Sequence, residues 1–258
     1  SHNKGLFETR EAISQYFKRK YNFLYSEEEI IVTNGASEAL DTSLRSIIEP
    51  GDDILIPGPI YAGYIPLVET LGGNPVYIDT TQSDFKVTPE LIESHLTHKT
   101  KAILLNYPTN PTGVILERSE VKNIVDTLVN KHIFIISDEI YAENTFKGQH
   151  TSFAEFPEIR DQLLLIGGLS KSHSATGIRI GFLLGPEYLI EKLTFMHAYN
   201  CICANVPAQI ACTTALNEGI NAPLYMNRDY IERRNYLKEK LESSIISSPT
   251  LKQRWAFH

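Results

Sequence analysis

Lys171 and Arg179 stand eight residues apart in a stretch of small and polar residues that runs from Gly168 to Gly181. The apolar run Leu163 to Ile166 just before it reads as a buried strand, so Lys171 emerges where that strand gives way to a turn. Partial desolvation at such a place favours the neutral amine, the form that makes an imine with an aldehyde. Arg179 brings the complementary chemistry, because its planar, permanently charged guanidinium pairs bidentately with phosphate. Together they could hold a cofactor by its aldehyde and its phosphate. The competing reading is an ordinary loop with a surface lysine and arginine.

Three further stretches carry polar groups where a site could form. Ile30-Ile31-Val32 reads as a short buried strand running into Thr33 to Leu40, a turn that opens a helix. The free N–H groups and positive dipole end of a helix start stabilise an anion, and Gly35 lets the backbone come close. Ser37 as a simple helix-start residue is the alternative there. Lys101 to Leu105 reads as a strand that ends in Asn106 to Gly113, a rigid turn with Pro108, Pro111 and two asparagines. The strand His132 to Ile136 ends at Ser137-Asp138-Glu139-Ile140-Tyr141. Ligands in open α/β sheets sit outside the carboxyl ends of strands, so Asp138 is where a chemical carboxylate belongs. Taken alone, the Asp-Glu pair would read as a solvated loop.

Ser170-Lys171 followed by Thr176-Gly177-Ile178-Arg179-Ile180-Gly181 resembles the cofactor-lysine motif of class I/II aminotransferases, the fold-type I enzymes of pyridoxal phosphate (PLP). The family usually has tryptophan before the arginine, and Ile178 departs from that in packing more than in chemistry. The resemblance covers nearly the whole chain and is strongest toward bacterial enzymes described as acting on N-acetyl-diaminopimelate or aromatic amino acids. It implies that Lys171 binds PLP and moves the proton in catalysis, with Ser170 beside it in the motif. It implies that Ala36, through its N–H, Ser37, through N–H and hydroxyl, and Arg179 bind the phosphate. Tyr61 would stack on the pyridine ring, and Tyr64 three residues on is left as packing. Asn110 and Tyr141 would donate to the phenolic oxygen, the first from a turn suited to a cis Asn110-Pro111 bond. Asp138 would sit at the pyridine nitrogen and favour its protonated, electron-withdrawing form.

These residues need a scaffold, and the sequence supplies one. The chain has 258 residues, 42% of them hydrophobic, enough to bury a full core. Its net charge of -7 argues against a nucleic-acid partner, and its apolar runs are too short to span a bilayer. Three cysteines, with Cys201 and Cys203 in a C-x-C on an expected helix, match neither a disulfide framework nor a zinc pattern and read as reduced residues of a cytoplasmic protein. Further strands are expected at Asp53 to Pro57 and Pro75 to Asp79, and helices at Leu6 to Lys20, up to about Leu71, after a Thr88 cap with Pro89, at Glu187 to Tyr199, Val206 to Asn217 and Arg228 to Leu241. Glu143 to Pro157 reads as an irregular polar loop without an assigned role. The alternation implies a mostly parallel α/β sheet with helices on both faces, the large domain of the aminotransferase fold, with the small domain largely missing. The expected organisation is an N-terminal helix segment over 1–20, a PLP-binding large domain over 21–225, and a linking helix with a truncated small-domain start over 226–258.

The function expected from the resemblance is PLP-dependent transfer of an amino group from an amino acid to a 2-oxo acid by a homodimer. No metal is expected. A PLP carbon–sulfur lyase on the same fold and a PLP-sensing regulatory module stay open, because a fold does not choose the fate of its carbanion. The resemblance also leads one to expect an incomplete enzyme. Two family positions have no match: a tyrosine just upstream of Ser1 and a C-terminal arginine for the substrate carboxylate. Trp255 to His258 then reads as a small-domain strand or an altered frame.

Overall fold

The computed structural model describes residues 2–146 and 148–243. Seven strands form one sheet in the order β1-β7-β6-β5-β4-β2-β3: β1 (Ile30–Thr33), β2 (Asp53–Gly58), β3 (Asn74–Asp79), β4 (Thr100–Asn106), β5 (Phe134–Asp138), β6 (Leu163–Gly168) and β7 (Gly181–Leu184). Only β7 runs against its neighbours, pairing antiparallel with both β1 and β6. The remaining pairs are parallel, so the carboxyl ends of β1, β2, β4, β5 and β6 share one edge of the sheet.

The central strands are continuous apolar runs because both faces are covered. Successive side chains point to opposite faces. Ile103 and Leu105 of β4, with Leu163 and Leu165 of β6, join the cluster under α1 (Phe7–Tyr21), α4 (Pro89–His95), α5 (Arg118–Leu128) and α8 (Val206–Glu218). Ala102 and Leu104, with Leu164 and Ile166, face α2 (Ala36–Ile47), α3 (Tyr64–Thr70) and α7 (Glu187–Cys201). Each fully buried leucine or isoleucine in these clusters contributes roughly 1.5–3 kcal/mol. Pro75, which cannot complete a ladder, lies on the edge strand β3.

The expected α/β sheet is therefore present, with several boundaries moved. Thr88 caps α4, its Oγ1 accepting from the Leu91 N–H at 3.3 Å with Pro89 in the first turn. β5 extends to Asp138 because the ladder pairs Asn106 with Asp138. β7 and α5 are not among the expected elements; β7 is no shorter than β1 but opens on Gly181, the end of the stretch read as the lysine–arginine motif, whereas α5 carries Val121, Ile124, Val125 and Leu128 at helical spacing. The helix expected from Arg228 is α9 (Ala222–Ser243), so a boundary at 225/226 falls within it. The expectation for Trp255 to His258 lies outside the described residues. Among the described residues no helix is long and apolar enough to cross a membrane.

Candidate active site

The short helix α6 (Leu169–Ser172) follows β6 directly and carries Lys171. The Lys171 Nζ stands 5.5 Å from the centre of the Tyr141 ring. Tyr141 in turn meets Asn110, whose Nδ2 donates to the Tyr141 hydroxyl at 3.5 Å. Asn110 owes its place to Asn106, which the sequence reading gives no role. The Asn106 Oδ1 accepts from the Asn110 N–H at 3.0 Å while its Nδ2 donates to the Asp138 carbonyl at 2.9 Å. One buried amide thus joins the ends of β4 and β5 to the proline-rich turn, in which Tyr107-Pro108 and Asn110-Pro111 are both cis.

Asp138 is buried at the end of β5. Its Oδ2 accepts from the Tyr64 hydroxyl at 2.7 Å and its Oδ1 from the Ile140 N–H at 3.1 Å. Burial pushes the carboxyl above its ordinary value, the two donors oppose that, and the nearby Glu139 charge adds to it. Burial, and then the Asp138 charge, push the Tyr64 phenol far up as well, so it stays a donor. Tyr64, expected to pack, also donates to the buried carboxylate of the candidate site. It stands three residues after Tyr61, across a turn that opens α3, and the two rings meet edge-on at 5.5 Å. The Tyr61 ring is half exposed.

The third group forms where β1 meets β7. Gly35 caps α2 with φ +90°, a conformation that side chains rarely adopt, and leaves Ala36 and Ser37 as the first residues of the helix. The first N–H groups of a helix have no acceptor within it. The Arg179 guanidinium lies over this turn: a Cβ on Gly35 would come within 2.6 Å of its Nη2. Its Nη1 donates to the Thr176 carbonyl at 2.9 Å and its Nη2 to the Asn34 carbonyl at 3.4 Å. Among the described residues no carboxylate forms an ion pair with it. Arg179 itself adopts a left-handed φ of 58°, a strained setting for an arginine that is typical of functional positions. Gly181 makes the approach possible, because a Cβ there would stand 2.5 Å from the Gly35 carbonyl carbon and 2.6 Å from the Ala36 nitrogen. Ser170 is buried beside Lys171, and its carbonyl accepts from the Thr176 hydroxyl at 2.9 Å.

The loop after β5 holds two more carboxylates that sequence reading passed over. Glu139 accepts from the Ser137 and Ser152 hydroxyls at 3.0 and 3.1 Å, from the Phe153 N–H at 3.0 Å, and pairs with the His150 Nε2 at 2.6 Å. Glu143 accepts from the Tyr16 and Tyr21 hydroxyls at 2.5 and 2.7 Å and pairs with Lys20 at 2.7 Å. The segment expected to be an irregular polar loop is thus held by buried acids.

Comparisons with known proteins identify the family of the chain. The sequence model of the family described as "Aminotransferase class I and II" matches residues 1–255. A probable N-acetyl-LL-diaminopimelate aminotransferase of Bacillus subtilis is 45% identical over 242 residues, covering 93% of this chain and 61% of its own length. An aspartate aminotransferase of Thermotoga maritima is 34% identical over 240 residues, covering 93% of this chain and 63% of its own. The crystal structure of an aromatic aminotransferase from Pyrococcus horikoshii superposes with a TM-score of 0.89 at 31% identity, over 94% of this chain and 66% of that one. The chain thus spans about three fifths of the length of these curated relatives. With the motif residues gathered on one sheet edge, the chain belongs to the class I and II aminotransferase family.

Proposed function

We propose that this chain binds pyridoxal phosphate and serves the transfer of an amino group from an amino acid to a 2-oxo acid. The observation that carries this reading is the convergence of four kinds of group at the carboxyl ends of parallel strands. They are an amine, a pair of phenolic and amide donors, a buried carboxylate and an arginine-covered helix start. The chemistry of this set fits the cofactor. Among the described residues Arg179 has no carboxylate partner where a phosphate would meet the start of α2, and a buried Asp138 held above its ordinary pKa would be stabilised by a cationic ring nitrogen. When bound, PLP supplies an electron sink for charge that develops at the α-carbon of an amino acid.

In this reading Arg179 and the N–H groups of Ala36 and Ser37, with the Ser37 hydroxyl, bind the phosphate. Tyr61 lies against the ring face. Asn110 and Tyr141 would donate to the phenolic oxygen, and Asp138, fixed by Tyr64 and Ile140, would favour the protonated ring nitrogen. Lys171 Nζ would hold the cofactor and would carry the proton taken from the substrate α-carbon. Ser170 supports the lysine from the same short helix.

The relatives' names make N-acetyl-LL-diaminopimelate, aspartate and aromatic amino acids the donors to try first. A homodimer is supported by an exposed apolar face on α7 and α8, where Phe195, Tyr199, Ile202 and Ile210 stand out to solvent. Free Cys201, Cys203 and Cys212 support a reducing, cytoplasmic setting, and the acidic net charge supports small-molecule rather than nucleic-acid partners. The test is a single-turnover reaction of the PLP-loaded protein with each donor. Release of the matching 2-oxo acid, with the amine left on the cofactor and passed to added 2-oxoglutarate, is expected. Pyruvate and ammonia from sulfur amino acids, without transfer, would replace transamination with elimination.

A further inference from the structure

Glu38, His197 and Cys201 bring three metal-ligating atoms to one place, all within 4.8 Å of one another. Glu38 lies in the first turn of α2, one residue beyond Ser37. His197 and Cys201 are four apart on α7, which puts both on one helical face. Packing of Leu40 and Leu44 with Leu189, Ile190 and Leu193 fixes the two helices against each other. His197 is fully buried, and the Glu38 side chain is 10% exposed. The C-x-C pair carries no zinc pattern in sequence, because the other two donors are contributed by a helix turn and by a residue 163 positions away.

The three donor atoms lie within reach of a small tetrahedral ion, with one edge already at the right length. Zinc bonds of about 2.3 Å to sulfur and about 2.0 Å to nitrogen and oxygen imply ligand-to-ligand edges of roughly 3.3–3.6 Å. The His197 Nδ1 is 3.6 Å from the Cys201 Sγ and 3.0 Å from the Glu38 Oε1. The Sγ to Oε1 edge, at 2.5 Å, opens by about 1 Å as an ion enters. Outer hydrogen bonds orient the ligands as they do in metal centres. The Asn34 N–H donates to the other Glu38 oxygen at 2.5 Å, and the Asn34 Nδ2 donates to the Cys201 Sγ at 3.5 Å. In the metal-free protein the Cys201 thiol donates to the same Glu38 Oε1 that pairs with His197, so all three donors already meet at one oxygen. The mixture of thiolate, imidazole and carboxylate selects a borderline transition ion over magnesium or calcium.

We propose that Glu38, His197 and Cys201 bind Zn²⁺, with solvent at the fourth corner beside the partly exposed Cys201. The Cys201 thiol releases its proton to solvent as the metal–sulfur bond forms. The ion clamps the first turn of α2, where Gly35, Ala36 and Ser37 form the anion cradle, to the end of α7. The site would exist whether or not the chain transaminates, and cofactor-free protein suffices to test it.

The test is titration of chelator-treated protein with Co²⁺ as the optical probe, followed by displacement with Zn²⁺. The parent should develop a near-ultraviolet thiolate-to-cobalt band with the visible bands of four-coordinate cobalt, bleached by Zn²⁺. Cys201→Ser should lose the thiolate band and weaken Co²⁺ binding roughly 100-fold or more, since even outer-shell changes cost 10–100-fold. Cys203→Ser should keep the band, and Zn²⁺ should raise the Tm of the parent but not of Cys201→Ser. Should His197→Gln fail to fold, the cysteine pair of variants still decides. A parent without the thiolate band, or a band that survives Cys201→Ser, overturns the site.

Discussion

Tyr64 and Asp138 show how one hydrogen bond joins stability to chemistry. The carboxyl of Asp138 is raised by burial, so in the cofactor-free protein its contribution to stability is full below the ordinary carboxylate pKa and is lost as pH rises through its folded pKa. Above that folded pKa a buried anion is left, and Asp138→Asn should therefore raise the Tm of the cofactor-free protein there and flatten its decline with rising pH. The same change should slow α-proton removal by about 10²–10³-fold, because the preorganised charge at the ring nitrogen is gone. Thermal melts across pH, set beside single-turnover rates, check both; a destabilised variant, or one within tenfold of the parent rate, contradicts this role. Tyr64→Phe removes one donor to a charged group, worth about 1.5–3 kcal/mol, and should slow the same step about 10–100-fold. Stopped-flow rates equal to the parent would return Tyr64 to packing. At this scale the motif residues were legible because Lys171, Asn110, Asp138 and Arg179 sit at strand ends in a recognisable spacing. Tyr64 and Asn106 were not, since their partners lie 74 and 32 positions away.

The elements hold the site through contacts that no local pattern announces. Glu143 ties α1 to the loop after β5, and its carbonyl accepts from the Asn227 Nδ2 of α9 at 2.5 Å. Its tyrosine partners are 127 and 122 positions away, which is why the segment reads as an unremarkable polar loop in sequence. Glu143→Ala leaves Lys20 and two buried hydroxyls without an acceptor and should cost about 3 kcal/mol, on the order of 6–12 °C in Tm. Urea unfolding with a loss below about 0.5 kcal/mol, the scale of surface substitutions, would show the hub to be incidental. Gly181 acts between elements too, since β7 can lie against the start of α2 only without a side chain there. Gly181→Ala must move the Gly35–Ala36 backbone at a cost of about 1–3 kcal/mol, and PLP affinity should fall about tenfold while helix content stays unchanged. Fluorescence titration with PLP reads this directly, and an unaltered Kd would mean that the cradle tolerates the shift. The central strands were easy to foresee because burial on both faces leaves uninterrupted apolar runs, whereas β7 opens on Gly181 at the end of the motif stretch and was read with it.

Across the whole molecule, the sheet gathers the carboxyl ends of its parallel strands on one edge while α7 and α8 turn aromatic and aliphatic side chains outward. Tyr199 is 90% exposed and Phe195 70%, an arrangement costly for a lone monomer and natural for a dimer face. Light scattering should find a dimer that Tyr199→Glu with Ile210→Glu converts to monomer; a parent that is monomeric at all concentrations removes the dimer from this account. The mostly parallel architecture followed from alternating apolar strands and amphipathic helices such as α1 and α2, while the antiparallel turn of β7 depended on Gly168 and Gly181 pairing closely, which spacing alone does not reveal. The proposed amino-group transfer rests on one atom, the Lys171 Nζ. Its direct test is to load the protein with PLP, reduce with borohydride and map the modified peptide by mass spectrometry. The account predicts a single adduct on Lys171 that is lost in Lys171→Ala; an adduct on any other lysine, or none on the parent, would contradict it.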